Sequence, residues 1–364
     1  MKIAFPRMGQ LGILLKILFR QLGIDFAEPG ENSTEALKRG CRYAPEGICL
    51  PFKLILGEFM EAAEQGADTA IFLGGQGPCR FGYFGALMES ILQEQGLAMR
   101  VIVLEAPDRD WGELLRRVDE ACGHHLWRLL QLLPAGFWYL TRLDRWENRL
   151  QDAIARAAAR QDLLAMRRIR ALRFQTTEAM QAAVSFRELG QILKDSRAAL
   201  EPYEAAQPPT LRVGVVGDIY SVIDTSLNRD LQWQLAERGV RTRRSMTLSG
   251  YVKESVGLSR RWSREAKPYL NRPIGGFARQ TVGCAAWVAR EKWDGLLQVY
   301  PLYCMPEAVA ESILPVISRD YDIPVLRLVL DEHMGEEGYM TRLEAFVDLL
   351  EQRRKGHERV LSRN

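Results

Sequence analysis

Three of the six cysteines in this 364-residue chain stand in positions that suit a metal–sulfur group. Cys49 and Cys304 each come two residues before a proline, and proline is favoured in the first turn of a helix. Cys79 follows a glycine-rich stretch, residues 74–78, which allows the backbone to approach a ligand closely. We expect all three thiols to lie at helix N-termini, where the partial positive charge lowers the pKa of a thiol and favours the metal-binding thiolate.

The spacing of the cysteines excludes the common small metal modules. The chain has no pair of cysteines separated by two residues, no pair of histidines at zinc-finger spacing and no ferredoxin-like run of cysteines. A site made by Cys49, Cys79 and Cys304 therefore depends on folding to bring distant segments together. The alternative interpretation is that these cysteines are small buried apolar residues, which is the common role of a free cysteine.

The remaining cysteines are weaker candidates for metal ligands. Cys41 lies eight residues before Cys49 in a predicted loop, close enough to act as an additional or exchangeable ligand. Cys284 falls within a predicted helix, where packing is the favoured interpretation, and it is also a candidate for recruitment with Cys41 to a second metal group. Cys122 is interpreted as a packing thiol.

Charged residues beside these cysteines are candidates for tuning a metal–sulfur group. Lys53 and Arg80 are close in sequence to presumed ligands, where a cation either donates hydrogen bonds to cluster sulfides or forms a structural salt bridge. His333 follows the last strand and is a candidate acid–base group, with a solvated loop histidine as the favoured alternative. The catalytic candidates are therefore His333 and Arg80. Three polar residues at the carboxyl end of the first strand of the second half are further candidates for the site: Asp218, Asp224 and Asn228. For Asp224 and Asn228, capping of the following helix is favoured over contact with a substrate.

The charge balance and hydropathy argue against two classes of partner. With 49 basic and 46 acidic residues, the chain lacks the basic excess of a nucleic-acid-binding protein. No apolar run reaches the ~20 residues that span a bilayer, and the first residues lack the pattern of a secretory signal. We therefore expect a cytoplasmic protein with reduced thiols. Two arginine groups are either a solvated surface or a dock for an anionic cofactor tail or an acidic partner: Arg241, Arg243 and Arg244, and Arg260, Arg261 and Arg264.

The first part of the chain alternates short strands with helices. Continuous apolar runs are typical of buried strands, and repeated strand–helix units of this length imply a parallel sheet with right-handed crossovers. The predicted strands are 2–5, 24–27, 69–73 and 100–104, and the predicted helices are 10–22, 51–64 and 85–95.

The second part repeats this pattern after a helical middle. Residues 111–200 show no strand signal, and their helical spacing predicts long helices that bridge the halves or form a subunit contact, before a linker at Pro202, Pro208 and Pro209. A capping box at Thr341 and Glu344 is predicted to open the last helix. The predicted strands are 211–216, 240–246, 295–300 and 325–330, and the predicted helices are 227–237, 252–269, 277–290, 306–319 and 341–354.

The predicted fold is α/β, with two Rossmann-like halves that each contain a parallel sheet and are joined by a long helical segment. The proposed divisions are residues 1–110, 111–205 and 206–364. Cys79 and Cys304 both come just past the third strand of their half. Open α/β sheets bind ligands at the carboxyl ends of their strands, so the two halves are expected to form a cleft with a thiol on each wall.

Four motifs resemble one known superfamily. Cys49-Leu-Pro-Phe-Lys53, Gly74-Gly-Gln-Gly-Pro-Cys79-Arg80-Phe-Gly82, Cys304-Met-Pro-Glu307 and Gly338-Tyr-Met-Thr-Arg-Leu-Glu-Ala-Phe346 are similar to those of the 2-hydroxyacyl-CoA dehydratase and benzoyl-CoA reductase superfamily. Within it, the chain is most similar to the acyl-CoA dehydratase activase-related group, a relative of the double-cubane cluster proteins.

The resemblance implies a [4Fe-4S] cluster with one iron open or bridged, held by the matching Cys49, Cys79 and Cys304. It further implies that a separate ATP-hydrolysing activator supplies electrons, and that the substrate is an acyl-CoA or a small molecule that is hard to reduce. A double-cubane cluster would need further ligands from a second protomer, as in a homodimer, from a related second subunit, or from Cys41 and Cys284.

The chain also departs from this pattern. It has no Walker-type phosphate loop, so it is not expected to be the activator itself, and it has no recognisable CoA-binding segment. Two other functions remain alternatives: a non-catalytic iron–sulfur carrier or scaffold, and a cluster-free protein whose two domains close on a small ligand.

Overall fold

The computed structural model describes residues 1–28, 33–74, 79–105, 110–204, 211–244, 246–255, 257–272 and 274–361. Within these ranges the chain forms two four-stranded parallel sheets and several long helices, so the predicted α/β class with two Rossmann-like halves is confirmed. In the same ranges, no helix is both long enough and apolar enough to cross a membrane.

The first half contains the first sheet. Its central strands are short apolar runs whose side chains are largely buried, as expected for strands covered on both faces. The elements are β1 (Lys2–Ala4), α1 (Leu11–Leu22), β2 (Asp25–Phe26), α2 (Ser33–Tyr43), α3 (Leu50–Glu64), β3 (Thr69–Leu73), α4 (Phe81–Glu94) and β4 (Arg100–Leu104).

Four helices follow and lead to the second half. The middle helices are α5 (Trp111–Ala121), α6 (Leu126–Ala159), α7 (Leu163–Ala182) and α8 (Phe186–Glu204). The second half contains β5 (Leu211–Gly217), α9 (Ile219–Ile223), α10 (Leu231–Ala236), β6 (Val240–Arg244), α11 (Leu248–Ser255), α12 (Arg261–Glu265), α13 (Ala278–Arg290), β7 (Gly295–Pro301), α14 (Met305–Tyr321), β8 (Val325–Leu330) and α15 (Glu336–Leu361).

The two sheets share one topology. Their strand orders are β2-β1-β3-β4 and β6-β5-β7-β8, with every neighbouring pair parallel. The order reverses between β1 and β3 in the first half and between β5 and β7 in the second. Ligands of such sheets bind at the carboxyl ends of the strands beside that reversal.

Helix α6 connects the halves through packing and ion pairs. Its apolar stripe includes Leu143, Leu150 and Ile154, each at most 1 % exposed, in one apolar core that continues into both halves. Its Asp152 carboxylate pairs with Arg241 and Arg243 of the edge strand β6. These two arginines are therefore paired within the chain. The sequence analysis had considered only a solvated surface or a dock for an anionic partner.

Helix α2 is absent from the sequence prediction, and the structure packs it closely against α3. A Cβ on Gly40 would lie 1.6 Å from the Lys53 carbonyl oxygen, and a Cβ on Gly57 would lie 1.7 Å from the Ala36 carbonyl oxygen. The backbones of α2 and α3 therefore touch at these two glycines. Cys41 lies in this helix, and its predicted placement in a loop is wrong.

Three further boundaries differ from the prediction. The predicted helix 252–269 is broken into α11 and α12, and the predicted helix 227–237 is helical only at α10, after the short α9. The last helix begins at Glu336, so Thr341 lies inside it and donates to the Glu337 carbonyl oxygen at 2.8 Å, and the predicted capping box is wrong. The prolines at 208 and 209 lie outside the described residues.

Candidate functional site

Cys49 and Cys304 have the same local setting, although Cys49 precedes the third strand of its half and Cys304 follows the third strand of its half. Each is the N-cap residue of a helix, α3 for Cys49 and α14 for Cys304, with an extended backbone and a proline as the second helical residue. The backbone N–H groups of Phe52 and Glu307 face the two thiols. The prediction that these thiols lie at helix N-termini is therefore confirmed.

Cys79 stands one residue earlier relative to its helix. Arg80 is the N-cap of α4, and the backbone N–H of Phe81 faces the Cys79 thiol. Residues 75–78, which contain most of the glycine-rich stretch, lie outside the described residues.

The Arg80 guanidinium joins the loops that carry the cysteines. Its Nη1 donates to the Gly47 carbonyl oxygen at 2.7 Å, two residues before Cys49, and its Nη2 donates to the Tyr303 carbonyl oxygen at 2.5 Å, next to Cys304. One side chain from the Cys79 segment thus contacts both other segments. Arg80 was predicted to tune a cluster or to form a salt bridge, and its described hydrogen bonds go to two backbone carbonyls.

Gly276, two residues before the start of α13, lies beside both Cys79 and the start of α14. A Cβ at this position would lie 3.6 Å from the Cys79 Cβ and 2.5 Å from the Pro306 Cγ. Cys79 of the first half is therefore in close proximity to the start of α14 in the second. A side chain at Gly276 would intrude on that contact.

Burial raises the pKa of all three thiols. The pKa of Cys49 rises to about 12, chiefly through burial and then through the carboxylate of Asp218, despite the nearby Arg80 guanidinium. Burial also raises the pKa of Cys79 and of Cys304. The prediction that helix N-termini lower these pKa values is wrong for the metal-free chain, because the loss of hydration outweighs the partial charge of a helix end.

Asp218, a candidate from its place at the carboxyl end of β5, lies near the three thiols. Its carboxylate accepts from the Ser221 backbone N–H at 2.9 Å and caps the start of α9. The same carboxylate contributes to the raised pKa of Cys49, Cys79 and Cys304.

Glu307 lies directly behind Cys304 and is fully buried. Its two carboxyl oxygens accept from Thr281 Oγ1 at 2.8 Å and from Gln298 Nε2 at 3.0 Å. Burial raises its pKa to about 7. The residue connects the start of α14 with α13 and β7, and its position three residues after an N-cap was the available sequence signal.

Lys53 contacts the second half. Its side chain is 2 % exposed, and its ammonium forms an ion pair with Glu332 in the loop after β8 and donates to the Glu46 carbonyl oxygen at 3.2 Å. Of the two roles considered for Lys53, these contacts match the structural salt bridge. The Cys41 thiol lies close enough to this pair for both charges to influence its pKa, which burial raises.

The other sequence candidates have local partners. Cys284 and Cys122 are 2 % and 3 % exposed and pack in apolar clusters, in agreement with the packing interpretation. His333 is exposed after β8, and its backbone N–H donates to Asp331. Asp224 accepts from the Leu227 N–H at 3.1 Å in the turn after α9, and the next helix begins only at Leu231, so the prediction that Asp224 caps that helix is wrong. Asn228 likewise accepts from the Leu231 N–H at 3.2 Å, at the start of α10.

A second buried carboxyl lies where the first half meets the second. Glu58 is 1 % exposed and accepts from the Arg7 backbone N–H at 3.0 Å and from Arg7 Nε at 3.2 Å. Tyr220 of the second half donates to the Arg7 carbonyl oxygen. Burial raises the pKa of Glu58 to about 8, although Arg7 opposes this shift.

This shift predicts a specific dependence of stability on pH. Between the ordinary Glu58 pKa of 4.5 and the folded value of about 8, the folded state binds more protons than the unfolded state. Stability contributed by this group is therefore lost as pH rises through that window. In chemical unfolding at a series of pH values, Glu58→Gln is expected to gain stability relative to wild type as pH rises. A difference between the two proteins that does not change with pH would contradict the shift.

Comparison with known proteins adds no family assignment. No protein-family model matches the chain, and no curated protein matches it. The superfamily named above therefore remains a resemblance carried by the four sequence motifs.

Proposed function

We propose that this chain is an iron–sulfur protein in which Cys49, Cys79 and Cys304 hold a [4Fe-4S] cluster where the two halves meet. In this proposal it is the reductase- or dehydratase-like component that receives low-potential electrons from a separate ATP-hydrolysing activator. The observation that carries the proposal is that one guanidinium, that of Arg80, bridges the three cysteine-bearing segments. Without a shared ligand, there is little reason for loops from both halves to place thiols together.

The donor set suits a cluster better than a single metal ion. Across the described ranges, no three His, Cys, Asp or Glu side chains stand close enough to hold one ion. Each thiolate of a cubane binds a different iron, so cluster ligands stand farther apart than the ligands of one ion. Such a cluster needs thiolate ligands and hydrogen-bond donors near their sulfur atoms. The three cysteines supply the thiols, and a backbone N–H group faces each of them.

The chain's own residues would hold and shield the group. Arg80 fixes the relative position of the Cys49 and Cys304 segments, and Glu307 anchors the start of α14 to Thr281 and Gln298. Because the thiols are neutral in the metal-free chain, binding must release their protons, and metal affinity is expected to rise with pH. When bound, a cluster of this type supplies one-electron transfer and, at an open iron, a binding position for a substrate atom.

The partners and location follow from the same proposal. The thiols stay reduced in the cytoplasm, where we place the protein. The substrate is an acyl-CoA or a small molecule that is hard to reduce. A homodimer or a related second subunit would complete the site or supply ligands for a double-cubane cluster. Within this chain Cys41 stays a candidate for such a ligand, whereas Cys284 is enclosed in the core around α13.

The proposal is tested by anaerobic reconstitution of the full-length chain with iron and sulfide. We expect a brown protein with about four irons per chain, as one [4Fe-4S] cluster requires. Addition of an activator of the resembled family, ATP and a reductant is then expected to reduce the cluster, monitored by electron paramagnetic resonance, and only when ATP is present. A cluster that ATP and activator do not reduce would favour the carrier or scaffold alternative, and a colourless protein would overturn the proposal.

A further inference from the structure

A cavity in the second half lies between α11, the start of α12 and the first turn of α13. It encloses about 370 Å³, at the small end of the ~300–1,000 Å³ typical of small-molecule sites, so it suits a compact ligand rather than a large cofactor. Every residue that lines it carries a polar group, and none of them is a cysteine. Walls of this kind select a ligand by charge and by hydrogen bonds.

The segment that forms the cavity carries a concentrated positive charge. Residues 251–290 contain eight basic and two acidic residues, a net charge of +6 in a chain whose overall net charge is +3. One of the two acidic residues, Glu265, is paired with Arg290. A local excess of this size attracts anions to the surface around the cavity.

The arginines at the start of α12 have three different environments. The Arg261 guanidinium lies over the rings of Trp262 and Trp287, 4.6 and 4.5 Å from their centroids, so it is engaged in cation–π contacts. Arg264 is exposed and lies outside the cavity wall. Arg260 is also exposed but lines the cavity, and it forms no ion pair within the described part of the chain. Its guanidinium is therefore available to a ligand.

Further hydrogen-bond donors of the cavity are open to solvent. Arg279 donates through Nη2 to the Ser263 carbonyl oxygen at 3.3 Å, which leaves its Nη1 without a partner among the described residues. The side-chain hydroxyls of Ser263 and Tyr251 likewise have no partner there, and the protein encloses none of these three atoms. Ser259 Oγ accepts from the Arg261 N–H at 3.4 Å, so its own hydrogen can still be donated. Two guanidiniums and three hydroxyls thus offer unused donors.

The one acidic residue that lines the cavity, Glu254, is engaged by the protein. Its Oε2 accepts from Gln280 Nε2 at 3.1 Å, and its Oε1 is enclosed by protein atoms. Burial raises the pKa of this carboxyl, an effect that the nearby Arg279 guanidinium opposes. Because one carboxylate oxygen is closed and the other is occupied, the groups that remain open to a ligand are donors.

We propose that this cavity binds a phosphate group, either as inorganic phosphate or as part of a compact phosphate monoester. The guanidiniums of Arg260 and Arg279 would form charge-assisted hydrogen bonds with the phosphate oxygens, and the hydroxyls would donate to the oxygens that remain. A carboxylate has fewer oxygens to share among these donors and carries less negative charge, so we expect it to bind more weakly. The proposal goes beyond the iron–sulfur assignment and does not depend on it, because no cysteine lines the cavity.

The test is a calorimetric titration of the full-length protein in phosphate-free buffer at constant ionic strength, with the chain both metal-free and after cluster reconstitution and removal of free iron. Inorganic phosphate and glycerol phosphate are the ligands, and acetate and glycerol are the controls. We expect saturable binding of at least one phosphate compound, at least about tenfold tighter than that of acetate. The tighter of the two shows whether free phosphate or a monoester is preferred. Absence of saturable binding, or equal binding of acetate, would overturn the proposal.

Arg260→Gln separates a direct ligand contact from the general positive field of the segment. Because Arg260 is exposed and unpaired, the variant is expected to keep the wild-type unfolding midpoint while binding phosphate about tenfold more weakly. Arg264→Gln is the matched control, since it removes the same charge from an exposed arginine of the same segment that lies outside the cavity wall. It should weaken binding by no more than about twofold, because exposed charges at a distance are screened by salt.

The comparison of the two arginine variants decides between a site and a diffuse field. Equal weakening in both would show that the segment attracts anions without a defined site, and unchanged affinity in Arg260→Gln would show that Arg260 does not contact the ligand; either result would sink the proposal. If Arg260→Gln fails to fold, Ser263→Ala takes its place. This variant removes one hydroxyl donor with no change in charge, and we expect it to weaken binding about threefold or more. Wild-type affinity of Ser263→Ala would then count against the site.

Discussion

Replacement of Cys49, Cys79 or Cys304 by serine is expected to remove most of the iron that the chain binds after anaerobic reconstitution. A neutral hydroxyl is a poor substitute for a thiolate, and a cluster held by three protein ligands loses a third of its attachment with each substitution. The measurement is iron and acid-labile sulfide per chain, together with the electron paramagnetic resonance signal after reduction. The three variants should behave alike, because the proposed ligands act as one unit.

Cys122→Ser is the matched control for this experiment. Cys122 is also buried, and its Sγ donates to the Asp119 carbonyl oxygen at 3.2 Å, a contact that a serine hydroxyl can retain. The control should bind iron as wild type does. Unfolding of each metal-free variant, followed by circular dichroism, distinguishes ligand loss from misfolding. Iron loss no greater than that of Cys122→Ser in folded variants would refute the proposed ligand set.

Replacement of Glu332 by alanine is expected to lower the free energy of unfolding by about 3 kcal/mol, the low end of the range for breaking a buried ion pair. The partner Lys53 is 2 % exposed, so the substitution leaves a charged ammonium in the core with only the Glu46 carbonyl as acceptor. The low end applies because Glu332 itself is 23 % exposed. The measurement is chemical denaturation near neutral pH.

The reverse substitution should cost less. Lys53→Met removes the buried cation and leaves Glu332, whose carboxylate reaches water, so we expect a loss of about 1 kcal/mol or less. The double variant should resemble Lys53→Met, because no ammonium then remains to be compensated. Equal losses of unfolding free energy in the two single variants would contradict this prediction, because only Glu332→Ala should leave a buried ammonium without its ion-pair partner. This pair joins α3 to the loop after β8, so the experiment also reports how firmly the halves are held together.

Features that depend on neighbouring residues could be read from the sequence. Largely apolar runs located β3, β4, β7 and β8 to within a residue, because strands of a parallel sheet covered by helices are rich in apolar residues. Cys49-Leu-Pro51 and Cys304-Met-Pro306 indicated helix starts, since proline fits the first turn without losing a hydrogen bond. The alternation of these elements was sufficient for the α/β class.

Features that depend on distant residues needed the folded chain. Helix α2 packs against α3 through backbone contact at Gly40 and Gly57, and Arg241 is neutralised by Asp152 of a helix almost ninety positions earlier. The capping box at Thr341 failed because the preceding residues continue the helix towards the N-terminus.

The candidate site divides in the same way. The residue types and their positions at helix starts were encoded locally, whereas the bridge made by Arg80 and the presence of Asp218 beside the thiols depend on the packing of one half against the other. The protonation of the thiols also belongs to the tertiary structure. A helix end is a short-range influence that the sequence reveals, but hydration is lost only when the rest of the protein closes over a side chain, and here that loss is the larger effect.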